Sequence, residues 1–298
     1  MGRKAITLDE QIAKLQSRGI NISDVEKAKE VLFDIGYYRH GFYRFPFETT
    51  YPEKDNREHD FVDGTDFDNA VKLYYFDFNL RNLFLKALSR IEIAFRTKVI
   101  YIVSNGNVDK PAWFADESVV TDKQAAYYAD GGYDPIRDKN PVLKLHHIHY
   151  PKDKYAPAWK TIEYMTIGEV AHVFRAIKDE DMKQKIANEF GLKTTITLQN
   201  YLELIKHIRN VCAHSNVLFD FTPEKSIRKG PAMMKGIGNN QNLNGATRVI
   251  LYMLKQVSVK RHNELLNEID TLIAKYCKTQ TVKDIIMNIS GFRDLHKK

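Results

Sequence analysis

Apolar residues recur at helical spacing through most of the chain, and this feature limits the possible folds more than any other. From Val71 to Val99 the large apolar side chains keep close to the three- and four-residue spacing of a helix. We predict one long helix over residues 67–103, or two helices that break near Asp77. Regular alternation with a period of two, which is typical of strands, is scarce. The sequence therefore predicts an all-α, multi-helix protein.

Two N-terminal helices begin with patterns that satisfy free backbone amides. Thr7 with Glu10, and Ser23 with Glu26, both fit a capping box. In this arrangement the hydroxyl accepts a backbone N–H near the helix start, while the glutamate accepts the N–H of the cap residue. A glycine follows each predicted helix and indicates where it ends.

Turn-forming residues suggest a division of the chain into three parts. Residues 1–103 form an N-terminal helical region, in which 36–51 is predicted to be an aromatic and basic loop. Residues 104–140 form a loop-rich connection around a short helix, and residues 141–298 form a C-terminal helical domain.

Positive charge is concentrated in the last third of the chain. From Lys193 onward there are 17 Lys and Arg against 8 Asp and Glu, whereas the first 192 residues have 28 against 30. This asymmetry favours a polyanionic partner such as RNA, although a solvated basic surface would look the same. The residues that we predict to contact phosphate here are Lys206, Lys225, Arg228, Lys229 and Lys235.

Hydropathy and cysteine content limit the compartment and the chemistry. No apolar run reaches the roughly 18 residues of a membrane span, and the sequence MGRKAITLDEQ at the N-terminus is not a signal peptide. Two cysteines, Cys212 and Cys277, are too few for a zinc cluster, and we expect Cys212 to be a buried free thiol. We expect a cytoplasmic protein that uses no metal or cofactor and does not bind membranes.

The segment Arg209-Asn-Val-Cys-Ala-His214 carries the residues best suited to chemistry. No other arginine in the chain has a histidine five positions later. Cleavage of RNA by its own 2′-hydroxyl needs a group that moves a proton and a cation that stabilises the phosphorane. Histidine suits the first task and arginine the second. Asn210 is predicted to orient the imidazole of His214.

The spacing of this motif argues for two copies of the chain. Five residues on a helix place two side chains about 140° apart. Either Arg209 reaches round the helix, or the helix ends between the two residues, or two helices share a groove that brings two arginine–histidine pairs together. We favour the shared groove and therefore expect a homodimer. As a bare pattern the motif is more typical of a structural helix end, with Arg209 at the surface and His214 bound to backbone carbonyls.

Four ordered blocks of sequence extend the argument beyond this motif. They occupy residues 31–48, 67–101, 156–177 and 186–221. In these blocks the chain resembles the Abi-like family of bacterial abortive-infection proteins (AbiD/AbiF type). The resemblance implies a C-terminal HEPN-like helical bundle and a role in defence against phage.

The resemblance also implies an activity. HEPN proteins are metal-independent endoribonucleases that generally act as dimers and leave 2′,3′-cyclic phosphate ends. Some proteins similar to this one are associated with a structured small RNA that restrains or guides them. The chain departs from the family pattern at Ser215, Val217 and Phe219, where a second His, an Arg and a Trp are usual. Arg209 and His214 are kept.

The aromatic and basic segment 36–51 is a second candidate site for RNA. Its rings and cations are suited to stacking with unpaired bases, and we predict RNA contacts at Arg39, Tyr43 and Arg44. The alternative is that the rings pack against the helical core.

Two further sets of polar residues have structural explanations. His146, His147 and His149 lack the cysteine or carboxylate ligands that would complete a zinc site. Glu92 is expected to form an ion pair with Arg90 or Arg96 rather than to act in catalysis.

Two other functions remain open from the sequence. The first is a non-catalytic protein that holds a cognate structured non-coding RNA on the same basic region. The second is an enzyme that acts on nucleotides or proteins, which ranks last because the chain has no Gly-rich phosphate loop.

Overall fold

A computed structural model describes residues 4–233 and 241–296 of the chain. Within these ranges there is no β-strand, only isolated bridges such as the one between Asn21 and Asp66. The predicted all-α class is therefore confirmed. The helices in chain order are α1 (Leu8–Gln16), α2 (Val25–Ile35), α3 (Tyr37–Arg44), α4 (Phe67–Gly106), α5 (Asp122–Tyr127), α6 (Asp134–Lys139), α7 (Pro141–His149), α8 (Ala158–Thr161), α9 (Ile167–Ala176), α10 (Glu180–Asn188), α11 (Thr195–Ala213), α12 (Leu243–Val257), α13 (Val259–Tyr276) and α14 (Gln280–Asp284).

Helix α4 is the central element of the fold. Its 40 residues extend over about 60 Å, and the helix is continuous at Asp77, so the break considered there does not occur. Its fully buried side chains, among them Leu73, Phe84, Ile91 and Val99, recur at multiples of helical spacing. Around this stripe pack α3, α9, α10, α11, α12 and α13. Helix α4 thus links the N-terminal helices to the helices that follow residue 141.

Polar side chains fix the starts of the first two helices. Thr7 and Glu10 form the predicted capping box, with reciprocal hydrogen bonds of 2.7 and 3.3 Å. The second predicted box is wrong, because the Asp24 carboxylate, rather than the Ser23 hydroxyl, accepts the N–H of Lys27 at 2.9 Å. A carboxylate is the stronger acceptor at the positive end of a helix.

Residues 37–47 differ from the prediction of a loop over 36–51. They form helix α3 and a short 3-10 turn, Phe45–Phe47. The helix forms because it buries Tyr43 and His40 against α4, where the His40 ring stacks on Phe67 at 4.6 Å. Tertiary packing has therefore overridden the turn signals of this segment.

The remaining chain completes one core. Short helices α5 and α6 occupy the connection over residues 104–140, and α5 matches the predicted helix there. Buried apolar side chains from Ile12 to Leu295 belong to a single cluster. In the ranges that the structure describes, no helix has both the length and the apolar character needed to cross a bilayer.

Candidate functional site

The C-terminal end of α11 presents the arginine–histidine motif. The helix starts at the Thr194 cap, whose hydroxyl accepts the N–H of Thr197 at 3.2 Å. Its inner face is buried in the core through Leu198, Leu202, Ile205 and Ile208. Arg209 is half-buried near the other end, whereas Asn210 and His214 are exposed. Burial of the inner face thus leaves the motif at the surface.

The chain reverses direction immediately after His214. The N–H of Ser215 donates to the carbonyl of Cys212 at 3.2 Å, and the N–H of Asn216 donates to that of Val211 at 2.9 Å. These two bonds close a Schellman motif, in which Ser215 has a φ of +55°. A residue with a side chain adopts this left-handed conformation at a cost of about 1–2 kcal/mol. The turn leaves the imidazole of His214 at the exposed tip of the helix.

Arg39 connects helix α3 to this turn through a hydrogen bond. Its Nη1 donates to the carbonyl oxygen of Ser215 at 2.7 Å, across 176 positions of sequence. Of the three RNA contacts predicted in segment 36–51, Arg39 is the one that the structure brings next to His214.

A buried network, which we call the clamp, holds the chain that follows the turn. It consists of Tyr43 on α3 and of Asp77 and Arg81 on α4, all three buried. The Asp77 carboxylate accepts the N–H of Leu218 at 3.0 Å and the hydroxyl of Tyr43 at 2.8 Å. Arg81 pairs with Asp77 and donates to the carbonyl of Asn216 at 3.1 Å. The clamp therefore fixes the backbone two and four residues after His214.

Burial dominates the electrostatics of the clamp. It raises the pKa of Asp77 to about 6, although the neighbouring Arg81 and the hydrogen bonds to the carboxylate act in the opposite direction. Burial also raises the pKa of the Tyr43 hydroxyl, and it raises the pKa of Cys212 to about 12. Cys212 is a buried free thiol, as expected, and has no thiolate to react at neutral pH.

Contrary to the prediction from the sequence, Asn210 does not orient the imidazole of His214. Its Oδ1 accepts a long hydrogen bond of 3.5 Å from Arg209 Nη1. In the described part of the chain the imidazole of His214 has no hydrogen-bond partner, so Asn210 contacts the arginine rather than the histidine. The helix is regular as far as Ala213, and Arg209 and His214 leave it in different directions.

Two adjoining pockets that share Asn200, Glu203 and Lys225 form a groove beside α11. The residues that line this α11 groove are Arg175, Ile196, Gln199, Asn200, Glu203, Leu204, Lys206, His207, Pro223, Glu224, Lys225 and Arg228. Lys206 and Arg175 both form ion pairs with Glu203. Lys225 and Arg228 are exposed on the opposite wall, where the backbone N–H of Arg228 donates to Asn200. The structure thus gathers three of the predicted RNA contacts along one side of α11.

Other predicted RNA contacts are placed less favourably. Tyr43 is 0% exposed and Arg44 is 7% exposed, and this contradicts the contacts predicted for both. The Tyr43 hydroxyl is committed to the clamp, while Arg44 donates to the carbonyl of Tyr37 and lies over its ring. Lys229 is exposed, and Lys235 lies outside the described residues.

The polar residues for which structural roles were expected have structural partners. His146 Nε2 lies 3.1 Å from the Asp153 carboxylate, and His147 Nε2 lies 2.8 Å from the hydroxyl of Tyr133. Glu92 forms an ion pair with Arg96 at 3.1 Å, as predicted.

Asp77 and Arg81 are functional-site residues that were not predicted from the sequence. The signal was present, since a carboxylate and a guanidinium four residues apart interrupt the apolar stripe of α4. A charged pair at buried positions needs a partner for every remaining hydrogen-bonding atom, and here the partners lie on α3 and after α11.

Fold and site together define an all-helical protein with an arginine and a histidine at an exposed helix end and a buried clamp beneath the turn that follows. The chain belongs to the Abi-like protein family, whose model matches residues 30–220. Membership in this family suggests involvement in abortive infection. The matched range contains the motif, the clamp and Arg39, and it ends before α12. No curated protein and no solved structure matches the chain.

Proposed function

We propose that this protein is an abortive-infection effector that cleaves RNA by metal-independent, HEPN-type chemistry. The observation that carries the proposal is the position of the half-buried Arg209 and the exposed His214 at a helix end, where Arg39 and the clamp fix the backbone of the turn that follows. An imidazole without a protein partner is available to a substrate proton. A fixed backbone beneath it reduces the cost of positioning that imidazole.

The chemistry is a transesterification followed by release of the leaving strand. The 2′-oxygen attacks the neighbouring phosphorus, and its proton passes to His214. The bond from phosphorus to the 5′-oxygen breaks, and that oxygen takes up a proton. Arg209 binds the non-bridging oxygens and stabilises the charge of the phosphorane. The products carry a 2′,3′-cyclic phosphate and a 5′-hydroxyl.

A second copy of the chain completes the site in this proposal. In-line attack requires proton transfer on opposite sides of phosphorus, and one imidazole reaches one side. The partner subunit's His214 would protonate the leaving oxygen. Because Arg209 and His214 diverge by about 140° on one helix, two antiparallel α11 ends can present one group of each kind from each chain. We therefore propose a homodimer.

The substrate strand is proposed to follow the α11 groove. Lys225, Arg228 and Lys229 are exposed cations, and in the described part of the chain none of them is in an ion pair. Such cations bind phosphates without regard to sequence. Lys206 already pairs with Glu203, so it contributes less.

The test is cleavage of RNA by the purified full chain with and without EDTA. Wild type is expected to cut in both conditions and to leave cyclic phosphate ends. General acid–base catalysis contributes about 10²–10⁴-fold, so His214→Ala should slow cleavage by at least that factor. Cleavage that disappears with EDTA, or that continues unchanged in His214→Ala, would refute the mechanism.

A second candidate function is a non-catalytic protein that holds a structured non-coding RNA. The exposed cations Lys225 and Arg228 favour it, because they line the α11 groove, lie outside the arginine–histidine motif and are in no ion pair within the described residues. Sequencing of the RNA that copurifies with wild type and with His214→Ala separates the two functions. A single intact RNA in both samples, together with a harmless Arg209→Ala substitution, indicates binding alone. The two functions combine if the bound RNA restrains the nuclease.

A further inference from the structure

Helix α3 exposes two aromatic rings beside the residue that contacts the His214 turn. Tyr38 is 81% exposed and Phe42 is 41% exposed, and their rings meet edge to face at 5.2 Å. Neither of them contacts a third ring in the part of the chain that the structure describes. A large side chain exposed to this extent on a regular helix contributes little to the core.

The helical geometry places these rings next to Arg39. At 100° per residue, Phe42 lies about 60° and Tyr38 about 100° around α3 from Arg39, on the same side. On its other side Arg39 borders Tyr43, which belongs to the buried clamp. Arg39 thus stands at the edge between the clamp and the exposed rings.

Arg39 also connects the rings to the proposed scissile position. One of its N–H groups binds the carbonyl of Ser215, the residue directly after His214. This is the sole hydrogen bond of Arg39 within the described ranges, so its other N–H donors are available to a phosphate. A cation beside exposed aromatic faces is the arrangement that binds unpaired bases.

We propose that Tyr38 and Phe42 form a stacking platform for an unpaired base of the RNA next to the phosphate cut at His214. This inference rests on the proposed nuclease function and narrows its substrate class to single-stranded or unpaired RNA. Bases within a duplex are stacked on each other and cannot lie on these rings. Arg39 holds the adjacent phosphate.

The size of the platform favours a base over a second copy of the chain. Two aromatic side chains bury at most roughly 150–250 Å² each, whereas a stable protein interface buries about 800 Å² per partner. One or two aromatic rings are enough to stack with a single nucleobase.

Binding to RNA in the uncleaving His214→Ala background tests this platform. The probe is a short, unstructured RNA that carries 2-aminopurine, whose fluorescence is quenched by stacking. Adding Tyr38→Ala and Phe42→Ala together should weaken single-strand affinity about 5- to 150-fold, the range that corresponds to loss of base–aromatic stacking, and should remove the quench. Affinity for the same RNA annealed to its complement should change far less.

Two control substitutions separate stacking from general effects. Tyr101→Ala removes a ring of 69% exposure on α4 and should leave RNA affinity unchanged. Tyr38→Phe keeps the ring and should retain the quench. The platform is refuted if the double variant binds and quenches as its parent does. It is equally refuted if the double variant loses affinity only because it elutes as a smaller species, which would assign the rings to a contact between copies.

Failure of the nuclease itself would look different. In that case wild type cuts no RNA, or His214→Ala cuts as fast as wild type, while the fluorescence of 2-aminopurine still reports directly on stacking at Tyr38 and Phe42.

Discussion

Two arginines on either side of the His214 turn have opposite environments. Arg81 is 3% exposed and bonds to Asp77, Tyr43 and the carbonyl of Asn216. Arg209 is half-buried, and its hydrogen bond, to Asn210, is a long one at 3.5 Å. A buried cation that is bonded to a carboxylate, a hydroxyl and a carbonyl stabilises the structure, whereas a half-buried and weakly bonded cation is available to bind an anion. The protein thus keeps its scaffold charges and its proposed reactive charges on different helices.

The largest loss of stability is expected when the buried Arg81 loses its carboxylate partner. Asp77→Ala leaves Arg81 buried without its carboxylate, and this should lower the free energy of unfolding by about 3–5 kcal/mol. Urea unfolding followed by circular dichroism measures the loss. The matched control is Glu268→Ala on α13, which removes the partner of the exposed Lys86 on α4 and should cost less than about 1 kcal/mol. Equal losses in the two variants would mean that the clamp does not stabilise the fold.

The stability of the protein should also depend on pH through the buried Asp77. Burial raises the pKa of Asp77 from 3.8 to about 6, so between these values the folded state binds the proton more tightly than the unfolded state. The contribution of Asp77 to stability is therefore fully present below pH 4 and is lost as the pH rises through 6. Its size is about 3 kcal/mol at 1.36 kcal/mol per pKa unit.

Comparison with Asp77→Asn isolates this contribution. The difference in unfolding free energy between wild type and Asp77→Asn should fall by that amount from pH 4 to pH 7. A difference that instead grows with pH would show that the attraction of Arg81 outweighs burial.

A smaller change in the free energy of unfolding is expected from substitutions in the turn that follows His214. Ser215 has a φ of +55°, which glycine adopts without steric cost, so Ser215→Gly should raise the free energy of unfolding by about 1 kcal/mol. Ala213→Gly, within the last turn of the regular helix, should lower it by about 0.5–1 kcal/mol. Thermal unfolding of both variants checks the signs. Destabilisation by Ser215→Gly would imply that the serine side chain supports the turn.

The sequence predicted those parts of the protein that depend on local contacts. Helical periodicity located α4, and the Thr7 box located the start of α1, because these signals act over three or four residues. The family resemblance was correct as well, over residues 30–220.

The clamp was not predictable because it joins distant residues. Tyr43 and Asp77 are 34 positions apart, and Asp77 and Leu218 are 141 apart. Nothing local in segment 36–51 distinguishes the buried Tyr43 from the exposed Tyr38, since both rings stand among cations. The packing of α3 on α4 decides which ring is available to RNA, and this required the structure.

A double-mutant cycle on the rate of RNA cleavage under single-turnover conditions tests most directly whether Arg209 and His214 act on one phosphate. Residues that act as a unit lose activity non-additively. We expect the combined variant Arg209→Ala with His214→Ala to cut no more slowly than the slower single variant, while all three keep the unfolding free energy of wild type within about 0.5 kcal/mol. Multiplicative losses, or single variants as fast as wild type, would contradict the account.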